Sequence, residues 1–294
     1  MKPLTRIEHF LAEAISQGEA PGCPPKLMGA VRHAVFPGGA RVRPQLCLAV
    51  AAACGDDDPE LSNATACAIE LLHCASLVHD DMPCFDNAAT RRGRASVHFA
   101  YGESLALLAG DALIILAFQT LAVAATHSPQ RLPALLAMVA SSVGMPYGAV
   151  AGQAWECEPR INLRDYQRAK TGALFAAATM GGAQAAGVDP TPWRDFGDWL
   201  GEAYQAADDI RDVVGDPRVL GKPVGRDVAL VRPSAATELG LEGAVAYFDQ
   251  LVSRAIEAVP ECSGAEALRT LIRDQSERLV PKASTAEFLR TAAV

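Results

Sequence analysis

The sequence predicts an all-α protein, a single helical bundle, on three observations. Strand signals are nearly absent, while apolar runs with helical spacing recur between Gly and Pro breaks. Half of the 294 residues are hydrophobic but only 6% are aromatic. Ala and Leu, both strong helix formers, therefore carry the apolar load of a sizeable core. Finally, no repeat, low-complexity tract or linker divides the chain, so one domain over 1–294 is expected.

Helices are expected in order at 4–17 and 24–36, where Pro37-Gly38-Gly39 ends the second before a third at 41–54. Gly55 to Pro59 (GDDDP) makes an acidic turn ahead of a fourth at 60–80. The next spans 101–126 and contains an apolar run, Leu105 to Ala125, long enough to cross a bilayer on the ~20-residue rule. Asp111 lies in the middle of that run, where an ionised Asp costs roughly 2.5–3.5 kcal/mol, so it reads as a central helix of a soluble bundle. Helices at 129–150 and 163–187 follow, the latter with Asn162 at a polar start. Pro190 and Pro192 open 191–214, and 237–258 and 263–281 complete the set. The Gly- and Pro-rich stretch from Gly215 to Pro233 is irregular and long for a connector, the composition of a functional lid.

Net charge is −8 and no block of Lys or Arg marks a nucleic-acid surface. An acidic protein still binds polyanions if divalent cations invert the local charge, so the balance points to a metal. Eight scattered cysteines without a CxxC pair read as buried free thiols in a reducing compartment, and the N-terminal MKPLTRIEHF lacks a signal-peptide pattern. A cytoplasmic protein is expected.

Two acidic clusters carry the chemistry. His79-Asp80-Asp81-Met82-Pro83-Cys84-Phe85-Asp86 follows the apolar run Ala64 to Val78, and Pro83 is placed to end the helix and fold Asp86 back beside Asp80. Asp208-Asp209-Ile210-Arg211-Asp212 puts Asp208 and Asp212 on one helix face, a repulsive pair unless a cation bridges it. Either cluster alone reads as a solvated helix end. Two, each closing an apolar helix, read as hard oxygen ligands for Mg²⁺. Read as the metal pair of an HD-type phosphohydrolase, His79-Asp80 would need further His ligands, and only His73, His98 and distant histidines exist. Basic residues flank the clusters: Arg41 and Arg43 after Gly38-Gly39, Arg91 and Arg92 before Gly93, Lys170-Thr171 before Gly172, and Lys222 between Gly221 and Pro223. The adjacent arginines Arg91 and Arg92 point to different sides of their backbone and can each fork onto phosphate.

This ordered set resembles the trans-isoprenyl diphosphate synthase family. The family's DDxxxxD matches Asp80-Asp81…Asp86 and its DDxxD matches Asp208-Asp209…Asp212, with GGxRxRP, RRG, GQ, KTG, YQ and GKPVGRD in family order from Gly38 to about Pro233. GGAR, GQAWE and an Arg-Pro ending look most like bacterial carotenoid-type geranylgeranyl diphosphate synthases. The resemblance implies an isoprenoid synthase fold, helices around a deep cavity, usually as a homodimer. It implies Mg²⁺-dependent condensation of an allylic diphosphate with isopentenyl diphosphate. Asp80, Asp86 and Asp208 would bind several Mg²⁺ ions directly, with Asp81, Asp209 and Asp212 supporting. Arg91, Lys170, Thr171, Gln205 and Lys222 would hold the allylic diphosphate; Arg43, His73 and Arg92 would hold isopentenyl diphosphate. Carbonyls near Lys170 and Thr171, the Gln205 amide and the Tyr204 ring would stabilise the allylic cation. Ala40 stands where the family usually has Lys, and Glu156 where Asp is common.

Product length follows the helix before Asp80, where each turn of ~5.4 Å matches about one isoprene unit. Ala75 and Ser76, one turn back, are small and leave the floor open, so Leu71, Leu72 or Phe118 would stop the tail deeper. A twenty-carbon product is expected. Alternatives are a farnesyl diphosphate synthase, a terpene cyclase or head-to-head synthase, and a non-catalytic partner subunit.

Overall fold

The computed structural model describes residues 3–160, 162–214 and 235–280, with backbone alone at 163, 164 and 214. Lys222 and the expected lid over 215–233 fall outside these residues. The N-terminal third lays down α1 (Pro3–Gln17), α2 (Pro25–Val35), α3 (Val42–Ala53) and α4 (Pro59–Asp80). α4 is the central helix: it is apolar on every side, and 83% of its apolar window is buried. Asp58 starts it, its Oδ1 accepting from the Leu61 amide at 3.2 Å ahead of Pro59 at the first helical position.

The joint between α1, α3 and α4 is ionic. Arg41, buried and left-handed at φ 51°, donates to Glu8 Oε1 at 2.8 Å, to Glu70 Oε1 at 2.7 Å and to the Val35 carbonyl at 2.8 Å. Burial opposes its charge, but the bonds to Glu8 and the charge of Glu70 outweigh it and hold the guanidinium above its usual pKa.

Strands are not wholly absent: Thr90–Arg91 (β1) pairs antiparallel with Arg94–Ala95 (β2). A two-residue pair has too few residues to show alternation in sequence. The helix expected at 101–126 is α6 (Glu103–Ala124), and Gly102, φ 87°, separates it from a short α5 (Val97–Tyr101) that was not expected. α6 is not the central helix. Only 44% of its apolar window is buried, and Leu107, Leu108, Ile115 and Val123 are exposed. α4 and α6 are both long and apolar enough to cross a membrane, but α4 is a core helix. The expected 129–150 helix breaks at Gly144-Met145-Pro146 into α7 (Leu132–Val143) and α8 (Ala149–Trp155), because Pro disfavours helical backbone in the residue before it.

α9 (Leu163–Gln167) passes through a π-helical turn, Arg168–Gly172, into α10 (Ala173–Ala185), where one uninterrupted α-helix was expected. α11 (Arg194–Val214) packs on this turn, and a side chain at Gly201 would lie 2.6 Å from the Gly172 Cα. α12 (Ala235–Glu257), kinked at Gly240, and α13 (Ala265–Leu279) complete the described fold.

All eight cysteines are free thiols, but only Cys47, Cys67 and Cys74 are buried. Cys84 and Cys157 are exposed, against the buried expectation, because they sit in the loops that rim the main cavity.

Candidate active site

A cavity of about 1040 Å³ opens among α3, α4, α6, α8, the π-helical turn and α11. α4 ends at Asp80, and the chain turns back so that the Asp86 amide donates to the Asp80 carbonyl at 3.0 Å. The first acidic cluster is thereby gathered on one wall, while Asp208, Asp209 and Asp212 line the other from α11.

The members of the clusters are not equivalent. Carboxylate oxygens of Asp80, Asp86 and Glu156 all lie within 4.8 Å of one another, a set that could hold a metal ion. Asp81 does not line the cavity. It is buried at 2% exposure, and Arg91 forks onto it, Nε to Oδ1 at 3.0 Å and Nη2 to Oδ1 at 2.5 Å. Burial raises the Asp81 pKa against the pull of Arg91, while Asp81, Asp80 and Asp86 hold Arg91 above its usual value despite its burial. Asp81, expected to support the metal site rather than to ligate directly, is thus turned away from the cavity and in position to orient Arg91. Asp209 is also buried: it accepts from Gln205 Nε2 at 2.9 Å and from the Ala235 amide that starts α12 at 2.8 Å. Thr171 Oγ1 donates to Gln205 Oε1 at 2.9 Å, so one chain of hydrogen bonds runs from the π-turn to the second cluster. Arg211 pairs with Asp208 at 3.2 Å.

Lys170 ties α8 to the first acidic cluster. Its Nζ donates to Glu156 Oε1 at 2.6 Å and to Asp80 Oδ1 at 3.3 Å. Arg91 and Arg92 diverge as expected, Arg91 toward Asp81 and Arg92 to within 3.9 Å of Glu70. Arg43 enters the cavity from α3 with its guanidinium 4.6 Å from the Phe175 ring and 5.9 Å from the Tyr204 ring. Its Nη1 lies 3.3 Å from His73 Nε2, and its buried Nε has no hydrogen-bond partner among the described residues. His73 is neutral: burial first, then the charges of Arg43, Arg92, Arg91 and Arg41, push its pKa well below the usual range.

Part of the cavity lining is apolar: Leu72 and Ala75 of α4, Leu107 and Ile114 of α6, and Val143 and Val150. Ser76 lines it too, whereas Leu71 is fully buried elsewhere in the core. Of the three residues expected as possible floors, Leu72 lines the cavity while Leu71 and Phe118 do not; on α6 it is Leu107 and Ile114, the latter one turn before Phe118, that meet it. Sequence reasoning noted Glu156 only as a departure from the resemblance, and missed both it and Tyr166 as site residues; the available signal was the i,i+4 spacing of Tyr166 with Lys170.

The Polyprenyl synthetase family profile matches residues 24–269. The chain is 52% identical over 276 residues to a geranylgeranyl diphosphate synthase of Cereibacter sphaeroides, covering 94% of this chain and 96% of that one. It is 45% identical over 282 residues to a geranylgeranyl diphosphate synthase of Rhodobacter capsulatus, covering 96% and 98%. Among solved structures, a geranyltransferase of Helicobacter pylori complexed with magnesium and isoprenyl diphosphate superposes with TM-score 0.75 at 29% identity, covering 95% of this chain and 96% of that one.

Proposed function

The chain belongs to the polyprenyl synthetase family and is a prenyltransferase, and from that premise we propose that it condenses allylic diphosphates head-to-tail with isopentenyl diphosphate to yield geranylgeranyl diphosphate. The observation that carries this reading is one cavity lined by carboxylates of both clusters, by cations and by a set of apolar side chains.

The donor set suits Mg²⁺, with Asp80, Asp86 and Asp208 as ligands and Asp81, Asp209 and Asp212 in support. When bound, such ions neutralise the pyrophosphate leaving group. Arg91, Lys170, Thr171, Gln205 and Lys222 hold the allylic diphosphate and then the departing pyrophosphate. Arg43, His73 and Arg92 hold isopentenyl diphosphate. In support, Arg43 is a buried cation with a donor to spare, and neutral His73 accepts from it and keeps it aimed. The Tyr204 ring and the Thr171–Gln205 dipoles stabilise the allylic cation once the C–O bond breaks. Apolar walls exclude the water that would quench it. Ala75 and Ser76 admit the growing tail. Ala40 supplies no charge to the isopentenyl pocket.

The same reading makes the chain one domain over 1–294, cytoplasmic, and a supplier of twenty-carbon diphosphate to carotenoid synthesis, as its GGAR and GQAWE segments suggest. It also makes the chain a homodimer, which the exposed apolar face of α6 supports.

The test is incubation of the purified chain with radiolabelled isopentenyl diphosphate and dimethylallyl, geranyl or farnesyl diphosphate, with and without Mg²⁺. Metal-dependent twenty-carbon product is expected. Arrest at fifteen carbons would make it a farnesyl diphosphate synthase, hydrocarbon from farnesyl diphosphate alone a cyclase, and no turnover without a partner a regulatory subunit.

A further inference from the structure

Glu156 belongs to neither aspartate cluster, yet both of its carboxylate oxygens are engaged at the cavity. Oε1 accepts from the Tyr166 hydroxyl at 2.5 Å and from Lys170 Nζ at 2.6 Å, and Oε2 accepts from Gln153 Nε2 at 3.2 Å. The Tyr166 ring centroid lies 5.8 Å from the same ammonium. One turn before Glu156 on α8, a side chain at Gly152 would sit 2.3 Å from the Lys170 nitrogen, so α8 presses its backbone directly on the π-turn. One face of α8 thus meets Lys170 twice, by close approach at Gly152 and by charge at Glu156.

We propose that Glu156, clamped by Tyr166, is a positioning residue that holds the Lys170 ammonium at the rim of the first acidic cluster, ready for the allylic diphosphate. This rests on the reading of Lys170 as a diphosphate-binding cation. A lysine is a compact charge on a flexible stem with many rotamers. Fixing it before the substrate arrives removes the cost of ordering those rotamers from binding. The contact with Asp80 cannot do this alone, since Asp80 is a proposed metal ligand, whereas Glu156, although it offers an oxygen within 4.8 Å of those of Asp80 and Asp86, has both oxygens taken by Tyr166, Lys170 and Gln153. Glu156 is the partner that Lys170 keeps. The extra methylene of Glu over Asp provides the reach from α8 to the ammonium.

The experiment measures affinity for pyrophosphate with Mg²⁺ by titration calorimetry on four full-length proteins: wild type, Glu156→Ala, Lys170→Met and the double variant. Glu156→Ala is expected to weaken binding by roughly 10–100-fold, the range for residues that orient a ligating group. It should add nothing in the Lys170→Met background, because its whole effect runs through that ammonium. Steady-state assays should show a raised KM for the allylic substrate and an unchanged KM for isopentenyl diphosphate. Glu156→Gln, which keeps the shape and loses the charge, covers the case in which Glu156→Ala does not fold, and a smaller loss in the same direction is expected. An unchanged affinity in the single variants overturns the proposal, as does an equal loss with and without Lys170 or a wild type that does not bind pyrophosphate. Since binding is read without turnover, failure of this coupling in a protein that makes prenyl product leaves the enzymatic reading intact.

Discussion

Arg43 takes a full charge into the interior, where two aromatic rings and one imidazole nitrogen answer only part of it. Isolated buried charge is destabilising, and such a group persists where a ligand completes it. Arg43→Met is therefore predicted to raise the KM for isopentenyl diphosphate roughly 10–100-fold, the worth of one charged hydrogen bond, while melting temperature holds or rises. A lower melting temperature with unchanged KM would make Arg43 a structural cation. His73 gives a pH signature. Its folded pKa lies well below the unfolded value of 6.5, so both states are neutral above that pH. As pH falls through 6.5 the unfolded chain takes up a proton that the native chain refuses, and stability is lost. His73→Asn should flatten stability between about pH 6.5 and 5, measured by denaturant melts across a pH series, and an unaltered slope would mean that the ring is not held neutral. Residue types and spacing revealed which side chains matter here, but not that Asp81 turns away from the cavity to grip Arg91.

At the scale of the elements, caps and breakers spoke clearly. Asp58 with Pro59, and Asn162 accepting from the Asp165 amide at 3.3 Å, mark helix starts in a way that local chemistry explains. The π-turn at Lys170 had no such signal, because an inserted residue in a helix is stabilised by neighbours: here Gly152 of α8 and Gly201 of α11 press on it. The short β1–β2 pair escaped because two residues per strand are too few to show alternation. Arg41 is the element-scale cation, since it joins α1 and α4 to the start of α3, two residues before Arg43. Arg41→Met leaves Glu70 buried without its main partner and should cost about 3–5 kcal/mol in denaturant melts. Isopentenyl diphosphate binding should weaken with it, because the first turn of α3 loses its anchor; a loss under 1 kcal/mol would contradict the joint.

For the whole molecule, the consequence is a cavity whose depth sets the product. α4 supplies Leu72, Ala75 and Ser76 to its wall, and α6 answers with Leu107 and Ile114. Ala75→Phe is predicted to fill one isoprene-length step and shift product from twenty toward fifteen carbons in chain-length analysis. An unaltered profile would place the floor elsewhere, and Ile114 opposite would be the next position to change. α6 shows why hydropathy alone misplaced the centre: its apolar content marks a face left exposed on the single chain, while α4, with less hydropathy, is the helix surrounded by the others.

By itself the sequence determined the all-α class, the order of the helices and the two aspartate clusters, because caps, breakers and carboxylate spacing act within a few residues of themselves. Tertiary structure alone decided that Asp80, Asp86 and Glu156 share one small volume, that Lys170 reaches both Asp80 and Glu156, and that Ile114 rather than Phe118 lines the cavity. Those facts depend on how helices from distant parts of the chain cross, and packing of whole surfaces, not local preference, sets the crossing.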